Sequence, residues 1–72
     1  MTTTTVKLRE NQEYVTLNVV LKLSGVISTG GMAKIFLQNN PVVVNGENEN
    51  RRGRKLYHGD VVEVENKKIV IE

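Results

Sequence analysis

The residues able to do chemistry fall into two groups. The first is Arg51-Arg52-Gly53-Arg54-Lys55, four bases within five positions. Guanidinium forks match phosphate geometry with two parallel hydrogen bonds and stay charged at any working pH, so such a cluster suits a polyanion. No acid interrupts the run, and Gly53 lets the backbone approach a ligand closely. The second group is Ser28-Thr29-Gly30-Gly31 together with Lys34. If a helix opens there, its first turn leaves amides unpaired and carries partial positive charge, an arrangement that holds phosphate. Glycine in a helix interior is about 1 kcal/mol less favourable than alanine, so two at the start suggest a purpose. Lys34 shares their stripe at helical spacing and reaches an anion bound at that terminus. A Walker-type loop is excluded, because Ile35 rather than a hydroxyl residue follows Lys34 and the glycine spacing differs.

Catalysis needs convergent titratable groups, and the inventory is short: one histidine, no cysteine, and Asp60 as the sole aspartate. His58 sits beside Gly59 in a turn without the nitrogen or sulfur partners a zinc site requires. No catalytic residue, metal or cofactor is expected, and the chain does not read as an enzyme. Binders of single strands stack bases on aromatic rings. Here the rings are Tyr14, Phe36 and Tyr57. Phe36 falls among apolar helix positions; Tyr57, which follows the basic loop, is a candidate to stack on a base, but core packing with its hydroxyl at the surface is the expected role. With few aromatics, recognition should rest on backbone charge and shape, which suits folded RNA.

The elements that must position these groups come from a chain of 72 residues and 8.1 kDa, short enough to be read as one domain over residues 1–72. Apolar residues are 39% and charged residues 25%, a globular composition, and without cysteine the core alone must hold the fold. No apolar run approaches the roughly 20 residues that cross a bilayer. The opening MTTTT lacks the pattern of a signal peptide, so a cytoplasmic monomer with no membrane partner is expected. The net charge of +2 is unevenly spread. Residues 17–59 hold Lys22, Lys34, Arg51, Arg52, Arg54 and Lys55 against Glu47 and Glu49, whereas residues 60–72 are net acidic. That asymmetry points to a polyanionic partner.

Alternation through Val6, Lys7, Leu8 and Arg9 predicts a strand near residues 4–9, followed by a polar loop over 10–13. Thr16 is placed to cap a helix over 17–24, with Val15 and Val20 as a staple and Gly25 as its stop. Asn18 and Lys22 share its wet stripe, so this helix is expected to be mostly buried. A second helix opens after Ser28 or Thr29 and ends by Asn40, because Pro41 disfavours helical geometry just before it. Met32, Ala33, Ile35, Phe36 and Leu37 fill most of its circumference, leaving Gly30 or Gly31, Lys34 and Gln38 toward solvent. Three valines then run into Asn45-Gly46, a strong type I′ hairpin signal, with the polar return arm Glu47 to Asn50 half in water. After the basic loop, Val62 and Val64 alternate with Glu63 and Glu65. Asn66-Lys67-Lys68 turns the chain into Ile69, Val70 and Ile71. This order gives an α+β fold with two short helices packed on a small, mainly antiparallel sheet.

Five pieces in this order, Leu17 to Leu23, Ser-Thr-Gly-Gly-x-Ala-Lys at 28–34, Val-x-Val-Asn-Gly-Glu at 42–47, Arg-Arg-Gly-Arg-Lys-Leu at 51–56 and Gly-Asp-Val-Val-Glu at 59–63, resemble a known family. It is the RNA-binding domain named after small-subunit ribosomal protein four, and within it the small stand-alone bacterial proteins of the YaaA type. The resemblance spans about residues 5–66. It implies the alpha-L motif, a two-helix plus hairpin unit that grips structured RNA through its second helix and the bases around the hairpin. Carried onto this sequence, those positions are Ser28, Thr29, Lys34, Arg51, Arg52, Arg54 and Lys55. The threonine-rich start and the loop at 10–13 depart from the pattern, and no catalytic module accompanies the motif.

The expected function is therefore non-catalytic binding of structured RNA, ribosomal or tRNA-like, in a ribosomal subunit or an assembling particle. Lys34 and the four bases from Arg51 to Lys55 would meet phosphates, with the amides near Gly30 and Gly31 adding another contact. The rival is a protein-interaction module whose exposed hairpin edge, Glu47 to Asn50, adds a partner strand.

Overall fold

The structure is a computed structural model and describes residues 2–72. Its elements, in chain order, are β1 (Thr2–Val6), β2 (Tyr14–Thr16), α1 (Leu17–Leu23), a 3-10 turn at Gly30–Met32 running into α2 (Ala33–Asn39), β3 (Val42–Val44), β4 (Glu47–Asn48), β5 (Lys55–Tyr57), β6 (Val61–Val64) and β7 (Lys67–Ile71). Five strands form one sheet in the order β1-β7-β6-β3-β4, and β2 pairs with β5 in a separate ribbon. All pairings are antiparallel except that of β1 with β7. The α+β architecture with two short helices and a mainly antiparallel sheet is the one the sequence implies.

Period-two alternation sorts the sheet into a dry and a wet face. Val42, Val44, Val62, Val64, Ile69 and Ile71 are all buried, while Glu63 and Lys68 between them stay exposed. The register stacks the apolar positions side by side: Val42 faces Val64, and Val62 lies between Val44 and Ile69. A slip of one residue in any of these strands would turn its two buried residues outward, so hydrophobic burial fixes the register. Leu17, Val20 and Leu21 of α1, Ala33 and Leu37 of α2, and Val15 and Leu56 of the ribbon join the same core.

Local signals set the turns. Asn45 and Gly46 take φ values of 51° and 85°, the left-handed pair a type I′ turn needs, and Val44 faces Glu47 across it. Helix α1 stops at Gly25, φ 81°, with Gly25 N–H donating to the Lys22 carbonyl and Val26 N–H to that of Leu21, the doubled bond of a Schellman end. The Lys67 ammonium donates to the Ser24 carbonyl at 3.2 Å, adding a cation where the helix leaves acceptors unpaired. Asn40 is extended ahead of Pro41, and α2 ends at Asn39.

Several expectations are corrected. The first strand runs over Thr2–Val6 rather than 4–9 and lies parallel to β7, although Leu8 N–H still reaches the Glu72 carbonyl at 2.7 Å. The last hairpin turns at Glu65-Asn66, with Glu65 at φ 55°, so Lys67 and Lys68 belong to β7 rather than to the turn. Helix α1 buries Leu17, Val20 and Leu21 but leaves Val19 and Leu23 exposed, a narrower dry face than expected. On the second helix only Ala33 and Leu37 are buried, Phe36 packs at the margin, and Met32 and Ile35 face water. Seven-residue helices cannot present their whole circumference to so small a core, so the wet stripe is wider than apolar content suggests.

Candidate nucleic-acid interface

The basic run becomes a structured loop because of one residue before it. Glu49 continues the hairpin ladder opposite Val42, donating its own N–H to the Val42 carbonyl at 2.8 Å, and keeps its carboxylate buried, with 5% of the side chain exposed. That carboxylate accepts from the backbone N–H groups of Asn50 at 3.1 Å and Arg51 at 3.0 Å. It also accepts from Arg51 Nε at 3.0 Å and Nη2 at 3.1 Å, and from Arg54 Nη1 at 2.7 Å. Hydrogen bonding to the Arg51 guanidinium is the main cause that holds the Glu49 carboxyl at about 2, below its ordinary 4.5, with Arg54 adding to it and burial opposing. Hence the return arm is not wholly half-wet: Glu47 and Asn48 are exposed, and Glu49 is buried. The arginine run also has a counter-ion, which folds onto it from two positions upstream.

The loop is fastened to α1 as well. Leu17 N–H donates to the Arg54 carbonyl and Asn18 N–H to the Arg52 carbonyl, both at 2.9 Å. These are first-turn amides that a helix cannot satisfy internally, so the basic loop caps α1 with its backbone. Thr16 stands at the N-cap with extended geometry, but its hydroxyl donates to Asn18 Oδ1 at 2.6 Å and accepts no N–H from the helix backbone. The side chains of Arg51 and Arg52 are exposed.

Across from this loop stands α2. Lys34, Leu37 and Gln38 line one wall of an open depression of about 690 Å³, and Asn50, Arg51, Arg52 and Gly53 line the other. Helical spacing explains the first wall, since Lys34 and Gln38 are four apart and project from one face. Leu37 lines it while also belonging to the core. The depression thus brings Lys34 together with Arg51 and Arg52, which lie far from it in the chain. Its Gly53 has no positive φ, and a Cβ added there would meet nothing within 4 Å. Neither backbone conformation nor packing within the protein demands glycine at that position.

The remaining site candidates are distributed differently. Ser28 and Thr29 are exposed ahead of the 3-10 turn and, with Gly30 and Gly31, lie outside the lining of the depression. The second helical segment opens after Thr29 as expected, but as a 3-10 turn in which Met32 N–H bonds the Thr29 carbonyl and Ala33 N–H that of Gly30. Those two amides are therefore used within the turn. Arg54 is half-buried against Glu49. Lys55 lies on β5 with its ammonium 4.9 Å from the centre of the Tyr14 ring. Tyr57 is exposed rather than in the core, because Leu56 takes the inward position of that strand. His58 is likewise exposed.

Among the described residues there is no group of His, Cys, Asp and Glu arranged to hold a metal, and no helix is long and apolar enough to cross a membrane. Comparison with known proteins adds two findings. The family profile described as S4 domain matches residues 6–72. The chain is also similar to a "Probable ribosome maturation protein RlbA" of Bacillus subtilis (strain 168), with 62% identity over 53 residues, covering 74% of this chain and 75% of that protein.

Proposed function

The chain belongs to the S4 domain family, and from that premise we propose that residues 1–72 act as one non-catalytic RNA-binding domain, a cytoplasmic monomer that grips structured ribosomal RNA on a ribosomal subunit or an assembling particle. The observation that carries this reading is the depression whose walls bring Lys34 of α2 opposite Arg51 and Arg52. Phosphates of a folded RNA enter it from solvent. Arg52 and Lys34 neutralise them directly, and Arg51 does so through the edge not occupied by Glu49. Gly53 keeps the rim low enough for the sugar-phosphate backbone to approach. Arg54 acts chiefly through Glu49, holding the loop in shape, while Lys55, Ser28, Thr29, Gly30 and Gly31 border the RNA outside the depression. The description of the Bacillus subtilis relative as a ribosome maturation protein supports a ribosomal target.

A strand-addition role at the hairpin has less support. β4 is only Glu47–Asn48, and the next residue, Glu49, is buried with its carboxylate tied to the basic loop, so little open ladder remains for a partner.

The test is a binding titration against a structured ribosomal RNA fragment at several salt concentrations. Three phosphate contacts, from Lys34, Arg51 and Arg52, give a log-log slope of roughly −2 to −3. A slope near zero contradicts the proposal.

A further inference from the structure

On β5, Lys55, Leu56 and Tyr57 alternate outward, inward and outward, and on β2 Val15 points inward between Tyr14 and Thr16. The register sets Tyr14 directly opposite Tyr57, and Thr16 opposite Lys55. The two rings therefore meet on the outer face of the ribbon, their centres 6.0 Å apart and their planes inclined by 50°. The Lys55 ammonium completes the group over Tyr14. Val15 and Leu56 already supply the ribbon's share of the core, yet Tyr14 stays 39% and Tyr57 47% exposed. The Lys55 ammonium takes part of the Tyr14 ring, and the ring surface left in water, larger on Tyr57, is an exposed π surface with a cation beside it.

We infer that the paired rings of Tyr14 and Tyr57, with the Lys55 ammonium beside them, receive an unpaired nucleobase of the RNA whose phosphates occupy the Lys34–Arg52 depression. This rests on the proposed function and adds to it a feature of the target: the structured RNA carries a bulged or looped-out nucleotide next to the gripped backbone. Continuity and charge favour a nucleotide over other occupants. Arg52 and Lys55 are three residues apart in the chain, a separation of at most about 11 Å, so platform and depression serve neighbouring nucleotides. The base stacks on a ring while Lys55 meets the negative charge of the same nucleotide, the pairing of aromatic and cationic groups that single-stranded segments require. Helical RNA keeps its bases stacked internally and offers this surface nothing.

The chain has no tryptophan and two tyrosines, both in this pair, so its intrinsic emission reports the platform without any substitution. Two ribosomal-type RNA hairpins, identical except for one bulged nucleotide, are titrated into the intact protein, following tyrosine emission and affinity together. The bulged hairpin is expected to quench the emission and to bind on the order of tenfold more tightly. The fully paired one should bind with emission unchanged. Tyr57→Ala should erase the difference and leave the paired hairpin's affinity and salt slope as they were, whereas Tyr57→Phe should keep the difference. Equal affinity of the unaltered protein for both hairpins, or binding of the bulged one with full emission, overturns the platform while leaving the phosphate site standing. Failure of both hairpins to bind overturns the two together.

Discussion

Replacing Glu49 by glutamine tests the buried carboxylate that shapes the basic loop. The variant keeps the size of the side chain but gives up one acceptor oxygen for an amide that faces guanidinium donors. A carboxyl held at about 2 against an ordinary 4.5 corresponds through linkage to a ceiling of about 3 kcal/mol. The covering side chains of Arg51 and Arg54 are 72% and 31% exposed, so solvent screens the interaction and about 1–2 kcal/mol is expected. In a domain of this size that lowers the melting temperature by roughly 5–15 °C. The folded state depresses this carboxyl, so its contribution is complete above about pH 5 and is lost as pH falls toward 2. Urea unfolding of both proteins, followed by circular dichroism from pH 7 to pH 2, should therefore show a gap that narrows on acidification. A gap that stays constant over that range, or that is absent at pH 7, refutes the assignment of Glu49 as the loop's anchor.

Other outcomes follow from the same geometry. Arg52→Glu should weaken binding of a structured ribosomal RNA fragment by on the order of 100-fold while leaving thermal stability within about 0.5 kcal/mol, because the exposed side chain is outside the core; a melt and a filter-binding titration check both halves. Gly53→Ala should preserve or slightly raise stability, since the added methyl meets no protein atom, yet reduce RNA affinity by crowding the rim. Asn45→Ala should destabilise by about 1–2 kcal/mol in the same unfolding assay. It removes the bonds from Asn45 Nδ2 to Asp60 at 3.0 Å and from Val61 N–H to Asn45 Oδ1 at 2.9 Å, and forces alanine to φ 51°.

What the sequence discloses depends on how local the cause is. The Asn45-Gly46 turn, the stop at Gly25 and the end of the second helix before Pro41 are each set by one or two residues, so reading them needs no knowledge of the fold. The parallel pairing of β1 with β7 joins Thr2 to Lys67 and leaves no mark in either segment alone. The β2–β5 ribbon is hidden for the same reason, being three residues on each side brought together from distant positions. The outward position of Tyr57 is local in cause: in a strand, Leu56 and Tyr57 must face opposite sides, and only one of them can enter the core. The role of Glu49 also left a trace, since it is the one acid between the hairpin and the arginines, two and five positions ahead of Arg51 and Arg54. Composition placed Lys34 and the bases in one functional class, but their meeting across a depression is a product of packing. So is the separation of that pair from Ser28 to Gly31 and from Lys55.

The joint action of Lys34 and the Arg51–Gly53 loop on one RNA is tested most directly by following the backbone amides of isotope-labelled protein by nuclear magnetic resonance as a structured ribosomal RNA fragment is added. The largest shifts are expected at Lys34, Gln38 and Asn50 to Gly53, moving together with one dissociation constant. Shifts confined to β1 and β7, or to the two residues of β4, with the walls of the depression unmoved, would contradict it.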